Sequence, residues 1–252
     1  MSNKRTAIIT GAARGMGQAI ARRLGKAGHH VVLLDVLERE VEEAAAEIRA
    51  EGASAVGLAL DLADEGAVSA LPERLGADFD RVGILVNNAA ISPKRNGRRV
   101  PAAEIELSEW ESVLRINLTA PFRMIQLCLP PMRAQRWGRI VNVASRAGRS
   151  PGGVAAAHYV TTKTGLLGLT RAFGKEVAGD GVTVNAIAPG RIETPMTQGS
   201  PPEVLKGVLA SIPVGRFGTT EEIAALAAFL AGEEAGFITG ATIDINGGVL
   251  MI

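Results

Sequence analysis

The stretch Thr6-Ala-Ile-Ile-Thr-Gly-Ala-Ala-Arg-Gly-Met-Gly17 joins an apolar run of strand length to closely spaced glycines. Gly11, Gly15 and Gly17 follow the spacing Gly-x-x-x-Gly-x-Gly, and a helical pattern begins at Gly15. Glycines at such a turn let the backbone approach a pyrophosphate, and the amino terminus of the following helix supplies free N–H groups. The stretch therefore predicts a strand–turn–helix unit that binds a dinucleotide. A tight turn without a ligand is the alternative.

Apolar runs of strand length alternate with helical patterns along nearly all 252 residues. After strand Thr6–Thr10, further strands are predicted at His30–Asp35, Ala55–Leu60, Val82–Asn87, Arg139–Ser145, Val182–Ala188 and Ala241–Ile245. Helices are predicted at Gly15–Ala27, Val36–Ala50, Asp64–Leu75, Ser108–Leu129, His158–Gly179, Pro202–Ser211 and Thr220–Leu230. Repeated strand–helix–strand units joined by short loops indicate an α/β fold. We expect one Rossmann-type domain over residues 1–252, with a doubly wound parallel sheet of about seven strands.

The overall composition excludes several classes of partner. The formal net charge is +1, so no global field favours nucleic acid or an anionic membrane. The single cysteine, Cys128, excludes an internal disulfide and a cysteine-cluster metal site, and its apolar surroundings predict a core position. No apolar run approaches the ~20 residues that span a bilayer, and no signal peptide precedes the first strand. We therefore expect a soluble cytoplasmic protein that binds no metal.

The end of the second predicted strand bears on the choice of cofactor. Asp35 lies about 20 residues beyond the glycine turn, where a carboxylate hydrogen-bonds a ribose 2′-hydroxyl and repels a 2′-phosphate. Arg14, within the turn, is a cation that could bind a 2′-phosphate, but no basic residue follows Asp35 until Arg39. The sequence therefore predicts NAD, with NADP less favoured. A helix N-cap is the alternative role for Asp35.

Tyr159 and Lys163 lie four residues apart in a predicted helix, and Ser145 precedes them at the end of a predicted strand. Positions i and i+4 share a helix face, so the phenol and the ammonium point into the same space. An ammonium favours the phenolate, which makes a tyrosine with an ordinary pKa near ~10 usable as an acid or base near neutrality. With the glycine turn, this predicts hydride transfer between a nicotinamide cofactor and an alcohol or ketone.

In its order of motifs the chain resembles the classical short-chain dehydrogenase/reductase family from end to end. Beyond the residues above, the resemblance rests on Asp61-Leu62, Asn87-Asn88-Ala89, Asn117, Pro189-Gly190 and Thr194. It implies an NAD(P)-dependent oxidoreductase that acts on CH–OH groups and interconverts a secondary alcohol and a ketone. It also implies a homotetramer in which the two long helices form one interface. We expect the apolar end of the chain to be buried against another subunit.

The resemblance implies a role for each matching residue. Tyr159 would be the catalytic acid/base, Lys163 would lower its pKa, and Ser145 would hydrogen-bond the reacting oxygen. Asn117 would hold a water that relays protons, and Thr194 would bind the nicotinamide carboxamide. The implied cofactor-binding residues are Gly11, Arg14, Gly15, Met16, Gly17, Asp35, Asp61, Leu62, Asn88, Ala89, Ala90, Tyr159, Lys163, Pro189, Gly190, Ile192 and Thr194.

Some of these residues also have simpler interpretations, and the sequence departs from the family pattern in places. Asn117 is alternatively a satisfied core amide, and Ser145 a helix N-cap or turn residue. Ala90 stands where the family usually has glycine. Ser145 and Tyr159 are slightly further apart than the family spacing, and the loop over residues 91–107 is lengthened. None of these departures removes a catalytic candidate.

The loops expected at the carboxyl end of the sheet, residues 91–107, 146–158 and 190–218, concentrate positive charge. They hold Lys94, Arg95, Arg98, Arg99, Arg146, Arg149, Arg191 and Arg216, but only the acids Glu104, Glu106, Glu193 and Glu203. Because arginine suits carboxylate and phosphate contacts, the substrate could be an anionic hydroxy or sugar acid, or an acyl thioester. A solvated basic rim is the alternative. Residues 190–218 are predicted to form a lid.

Two competing functions stay open at this point. One is an NADPH-dependent 3-oxoacyl-(acyl-carrier-protein) reductase, which Arg14 and the basic loops favour and Asp35 opposes. The other is a non-catalytic NAD-binding sensor or scaffold on the same fold. The presence of all four catalytic candidates argues against the sensor, because binding alone does not need them.

Overall fold

The computed structural model describes residues 4–150, 155–194 and 202–252. Its strands are β1 (Thr6–Thr10), β2 (His30–Asp35), β3 (Ser54–Ala59), β4 (Val82–Asn87), β5 (Lys94–Arg95), β6 (Arg98–Arg99), β7 (Gly138–Val143), β8 (Val182–Pro189) and β9 (Thr242–Ile245). Seven of them form one parallel sheet in the order β3-β2-β1-β4-β7-β8-β9. The order runs outward in opposite directions from the β1–β4 pair, which creates a crevice at the carboxyl ends of the strands. The expected Rossmann-type fold is confirmed.

Helices cover both faces of this sheet. They are α1 (Gly15–Lys26), α2 (Glu38–Ala50), α3 (Glu65–Ser69), α4 (Leu71–Leu75), α5 (Ala77–Asp80), α6 (Leu107–Leu114), α7 (Ala120–Ala134), α8 (Ala157–Val177), α9 (Pro202–Ala210) and α10 (Thr220–Leu230). Because both faces are covered, every residue of β1, β4 and β7 is buried.

Adjacent residues of β1 show how the two halves of the core divide. Ile9 belongs to a buried cluster with Leu24 of α1, whereas Ile8 belongs to another with Met124 and Cys128 of α7. Successive side chains of a strand point to opposite faces, so one strand supports both clusters. Cys128 is buried, as expected. Within the described ranges, no helix is long and apolar enough to cross a membrane.

The helix expected over Ser108–Leu129 differs from the structure in two ways. One π-helical turn at Arg115–Thr119 separates α6 from α7, and α7 continues through Pro130 and Pro131 to Ala134. Pro130 and Pro131 each forfeit one backbone hydrogen bond near the end of the helix. The continued helix buries Met132 completely, and this apolar contact opposes that loss.

Two other segments depart from the expected helices and loops. The helix expected over Asp64–Leu75 is broken into α3 and α4, because Pro72 cannot donate a hydrogen bond to extend α3, and the short helix α5 follows it. The lengthened loop contains the antiparallel hairpin β5–β6, whose Asn96 and Gly97 both have positive φ, at 49° and 72°. An Asn-Gly pair is a strong hairpin signal, and it could have revealed this hairpin from the sequence.

Candidate active site

The glycine turn between β1 and α1 forms a tight cradle. Gly11 and Gly15 have φ of 64° and 63°, a conformation that glycine adopts readily. A Cβ on Gly11 would lie 2.8 Å from the Cα of Ala89, and one on Gly17 would collide with the Gly11 carbonyl. Helix α1 begins after Arg14, which makes no side-chain cap hydrogen bond. The free N–H groups and the absence of Cβ atoms fit a pyrophosphate.

Asn88 fastens this turn to the end of β4. Its side-chain amide donates to the carbonyls of Thr10 and Gly11, both at 2.9 Å. The Thr10 hydroxyl accepts from the backbone N–H groups of Asn88 and Ala89, at 3.0 and 3.1 Å. Asn88 and Thr10 therefore hold the two strand ends that flank the crevice in one fixed geometry.

The Asp35 carboxylate lies at the end of β2, directly beside the turn. Its Oδ2 accepts from Ala13 N at 3.1 Å, and its Oδ1 accepts from Leu37 N at 3.2 Å. The N-cap of α2 is Leu37, so the N-cap interpretation of Asp35 is wrong. Arg14 is exposed, and Asp61, beyond the end of β3, is exposed as well. The carboxyl ends of β2 and β3 thus each carry a carboxylate, while the cation of Arg14 lies within the turn.

Ser145, Tyr159 and Lys163 meet where β7 ends and α8 begins. The side chains of Ser145 and Tyr159 are hydrogen-bonded to each other, and Ser145 Oγ also accepts from Ala147 N at 3.1 Å. The Lys163 ammonium donates to the Val143 carbonyl at 2.7 Å and lies 5.7 Å from the centre of the Tyr159 ring. The structure therefore brings together the three residues that the spacing of the sequence had suggested.

Asn117 lies in the π-helical turn and is completely buried. Its Oδ1 accepts from Ile91 N at 2.8 Å, and its Nδ2 donates to the Ile91 carbonyl at 2.9 Å and to Thr162 Oγ1 at 3.3 Å. The Asn117 amide thus connects the loop after β4 to Thr162 of helix α8, the residue directly before Lys163. The proton-relay role stays a prediction.

The end of β8 closes the other side of the crevice. A Cβ on Gly190, which follows Pro189, would lie 2.8 Å from the Cα of Asn246. Ile192 bridges to Gly218, and Thr194 is buried. Residues 195–201, within the expected lid, lie outside the described residues.

A cavity of about 440 Å³ opens at Ser145 and Tyr159. The five basic residues in its lining are Lys94, Arg98, Arg99, Arg146 and Arg191. Its apolar wall includes Val204 and Val208 of α9 and Ile212, which lie within the expected lid, and Val249 near the end of the chain, which was not among the predicted site residues.

Three of the basic loop residues lie outside that lining and are paired with acids. Arg149 is 2.7 Å from Asp244, and Arg95 is 3.4 Å from Glu104. The third, Arg216, pairs with Glu222. Of the eight basic loop residues, only the other five therefore line the cavity, whereas these three guanidinium groups are paired with acids outside its lining.

Comparison with known proteins agrees with this geometry. The family described as enoyl-(acyl carrier protein) reductase matches residues 11–250. The 3-oxoacyl-(acyl-carrier-protein) reductase of Aquifex aeolicus is 40% identical over 246 residues, which cover 97% of each chain. The chain belongs to the classical short-chain dehydrogenase/reductase family. It is an NAD(P)-dependent oxidoreductase that acts on CH–OH groups.

Two crystal structures of similar proteins contain nicotinamide cofactors. A 3-oxoacyl-(acyl-carrier-protein) reductase from Brucella melitensis with bound NAD is 37% identical, with a TM-score of 0.92, over 100% of this chain and 93% of that one. A proposed NAD(P)-dependent gluconate 5-dehydrogenase from Beutenbergia cavernae with NADP at low occupancy is 38% identical, with a TM-score of 0.90, over 97% and 96%. Similar proteins thus bind either cofactor.

The ionisation of Tyr159 in this short-chain dehydrogenase/reductase differs from the expectation. Burial raises the pKa of Tyr159, and the hydrogen bond with Ser145 opposes the rise only in part. Burial also lowers the pKa of Lys163 to about 8. The expected lowering of the tyrosine pKa is therefore outweighed by desolvation, since a phenolate is less stable away from water. At neutral pH, Tyr159 holds its proton and is poised to act as an acid.

The raised pKa can be measured directly, because Tyr159 is the single tyrosine of the chain. We expect its phenolate absorbance to appear only above the ordinary tyrosine pKa of about 10 when the protein is titrated without cofactor. Alcohol oxidation needs the phenolate, so its rate should rise with pH, whereas ketone reduction should fall as the phenol ionises. Phenolate absorbance that is already complete at neutral pH would contradict this assignment.

His158, beside Tyr159, faces away from this chemistry. It is completely buried, and its Nε2 lies 3.0 Å from Glu109 Oε1 of α6. This contact joins the amino end of α8 to α6, and no local pattern in the sequence predicts it.

Proposed function

We propose that this enzyme reduces a 3-oxoacyl thioester to the 3-hydroxyacyl thioester with a nicotinamide cofactor. The observation that carries the proposal is the position of Tyr159, which is half-buried, hydrogen-bonded to Ser145 and part of the lining of an open cavity, where desolvation raises the pKa of its phenol. A group that holds a proton suits the reduction of a ketone, whose oxygen must receive one. Full-length similarity to several 3-oxoacyl-(acyl-carrier-protein) reductases supports the acyl substrate.

The roles of the site residues follow from their positions. Ser145 Oγ hydrogen-bonds the ketone oxygen, and Tyr159 Oη donates its proton to that oxygen. A nicotinamide cofactor held at the glycine turn would supply the hydride for the ketone carbon. Lys163, fixed by the Val143 carbonyl, stabilises the phenolate that remains. Asn117 holds the loop after β4 against α8 and is proposed to retain the water through which Tyr159 regains its proton.

The assay for this proposal uses 3-oxobutanoyl-pantetheine with NADH at neutral pH. We expect equal amounts of NADH and thioester to be consumed and the 3-hydroxybutanoyl product to appear by mass spectrometry. The reverse reaction should be slow at neutral pH and faster at alkaline pH. NADH consumption without a reduced product would contradict the proposal.

We propose further that the enzyme prefers NAD(H) to NADP(H), because the Asp35 carboxylate lies beside the glycine turn. In the variant Asp35→Asn, the amide oxygen can still accept one of the two backbone hydrogen bonds, but the other bond is lost together with the charge. We expect kcat/KM with NADPH to rise by on the order of tenfold, the size of a relieved like-charge repulsion. The ratio of kcat/KM for the two cofactors measures this preference. Arg14→Gln is the matched control and should lower kcat/KM only with NADPH. An unchanged ratio in Asp35→Asn would refute the role of the Asp35 carboxylate.

A second candidate function is oxidation of a hydroxy or sugar acid. The five basic residues in the cavity lining favour it, because an anionic substrate complements them. The similarity to the Beutenbergia cavernae protein also supports it. NAD reduction with gluconate and 3-hydroxybutanoate, measured beside the thioester assay, separates the two candidates.

We also propose that the enzyme is a homotetramer. Exposed apolar side chains of the single chain support it, because another subunit would cover such a surface: they are Phe229 of α10, Phe237, Met251 and Ile252.

We propose in addition that residues 190–218 form a lid over the cavity. Val204 and Val208 of α9 line the cavity, which supports this role.

A further inference from the structure

Helix α8 presents two neighbouring rows of side chains in its first two turns. Tyr159 and Lys163 form one row, and His158 and Thr162 form the other, because residues four positions apart share a helix face. Tyr159 lines the cavity, whereas His158 and Thr162 are completely buried. The first row carries out the proposed chemistry, and the second row packs against another part of the molecule.

Both residues of the second row contact one continuous helical unit. The His158 imidazole Nε2 lies 3.0 Å from Oε1 of Glu109, in the first turn of α6. Thr162 Oγ1 accepts from Asn117 Nδ2 at 3.3 Å, in the π-helical turn into which α6 leads directly. The unit formed by α6 and the π-helical turn therefore holds α8 at two points that are one helical turn apart.

The contact between His158 and Glu109 fixes the start of α8. The N-cap residue, Ala156, makes no side-chain cap hydrogen bond. Because a carboxylate only accepts hydrogen bonds, the imidazole Nε2 carries the proton and donates to Glu109. The imidazole Nδ1 is buried without a hydrogen-bond partner among the described residues, so this contact alone orients the ring there. A carboxylate at the amino end of a helix is also stabilised by the helix dipole.

The position of Tyr159 depends on this contact, because Tyr159 is the residue directly after His158. The phenol has to keep both its hydrogen bond with Ser145 and its place in the cavity lining. A displacement of ~1 Å at a reacting group can lower a rate by about 10²-fold. A shift of the first turn of α8 would therefore impair proton transfer even if every reacting group were present.

We propose that His158 and Glu109 form a positioning pair, which holds the first turn of α8 so that the Tyr159 phenol keeps its hydrogen bond with Ser145. This inference rests on the proposed role of Tyr159 as the proton donor. His158 and Glu109 lie outside the described lining of the cavity, so the pair acts on the reaction only through Tyr159.

A set of variants tests the contact from both sides. His158→Leu removes the donor and leaves the partly exposed Glu109 carboxylate accessible to water. His158→Gln is the conservative variant, because its amide can still donate to the carboxylate. Glu109→Leu removes the acceptor, and the double variant completes a thermodynamic cycle for the pair. Glu111→Leu is the matched control, since Glu111 is exposed on the same helix.

We expect His158→Leu to lower kcat for ketone reduction by on the order of 10- to 100-fold. The KM and the Kd for NADH should change little, because neither partner of the pair lines the cavity. His158→Gln should recover most of kcat, and the Glu111 control should keep it. The double variant should lose no more than the worse single variant, as expected for two residues that act through one contact.

The single tyrosine of the chain provides a readout without turnover. With ¹³C-labelled tyrosine, the protein gives one signal for the ring carbon that carries the hydroxyl, and this signal reports on the surroundings of the phenol. It should move in His158→Leu and return towards its original position in His158→Gln. Glu109→Leu supplies the same comparison if His158→Leu does not fold.

A purely structural role for the pair has a different signature. A lower Tm with an unchanged tyrosine signal and an unchanged kcat in the folded His158→Leu protein would overturn the inference. Losses of kcat that simply add in the double variant would also overturn it. If the enzyme reduces no 3-oxoacyl thioester, the proposed function fails, whereas the tyrosine signal still decides whether His158 and Glu109 position the phenol.

Discussion

The variant Tyr159→Phe is expected to lower kcat for ketone reduction by about 10²- to 10⁴-fold, the usual contribution of a positioned general acid. Phenylalanine retains the ring, so packing at the start of α8 should persist. Only the Oη atom is lost, and with it both the hydrogen bond with Ser145 and the transferable proton. The Kd for NADH should change little. Stopped-flow rates at saturating substrate and NADH fluorescence titrations measure the two quantities separately.

Thr161→Val is the matched control for this prediction. Thr161 is exposed on the same helix, two residues from Tyr159, and lies outside the cavity lining. Its variant should keep full activity. If Tyr159→Phe retained most of the kcat of the unmodified enzyme, the assignment of the proton donor would be wrong, whatever its effect on NADH binding.

Replacing Lys163 by Met is the second change with a large expected effect. The ammonium is almost completely buried and donates to the Val143 carbonyl at 2.7 Å, so its loss removes a fixed positive charge near the phenol. We expect kcat/KM for ketone reduction to fall by on the order of 10²-fold, because the phenolate left after proton transfer is no longer stabilised. The pKa of Tyr159 should rise further, and the absorbance titration of the single tyrosine measures this change.

Lys175→Met supplies the control in this case. Lys175 is exposed near the end of α8, so its removal changes the net charge equally without touching the site. A Lys163 variant with an unaltered tyrosine titration would show that the ammonium does not influence the phenol. In that case any lost activity would have to come from cofactor binding or from the unpaired Val143 carbonyl.

Local patterns were sufficient to predict the sheet and the approach of Ser145, Tyr159 and Lys163. Strand-length apolar runs and short loops leave few ways to cover both faces of a parallel sheet. Ser145 follows the end of β7, and Tyr159 and Lys163 lie in the first turns of α8. The approach of these three residues therefore follows from the geometry of one strand end and one helix.

The properties that the sequence did not reveal depend on tertiary contacts. The continuation of α7 beyond Pro131 depends on the burial of Met132, and the exclusion of Arg149 from the cavity depends on Asp244, far along the chain. The pKa of Tyr159 is raised because burial outweighs the hydrogen bond with Ser145, whereas the i,i+4 spacing to Lys163 had suggested a lowered pKa. Burial and long-range ion pairs are absent from any local pattern.

The most direct test follows the hydride from NADH to the ketone carbon and compares the unmodified enzyme with a variant that lacks the proton donor Tyr159. The enzyme is mixed with 3-oxobutanoyl-pantetheine and NADH deuterated at the transferable C4 position, and the product is analysed by NMR and mass spectrometry. We predict deuterium on the carbon that carried the ketone, a hydroxyl on that carbon, and no labelled product from Tyr159→Phe on the same timescale. An unreduced ketone, or equal labelling by the Tyr159 variant, would contradict the assignment of this site.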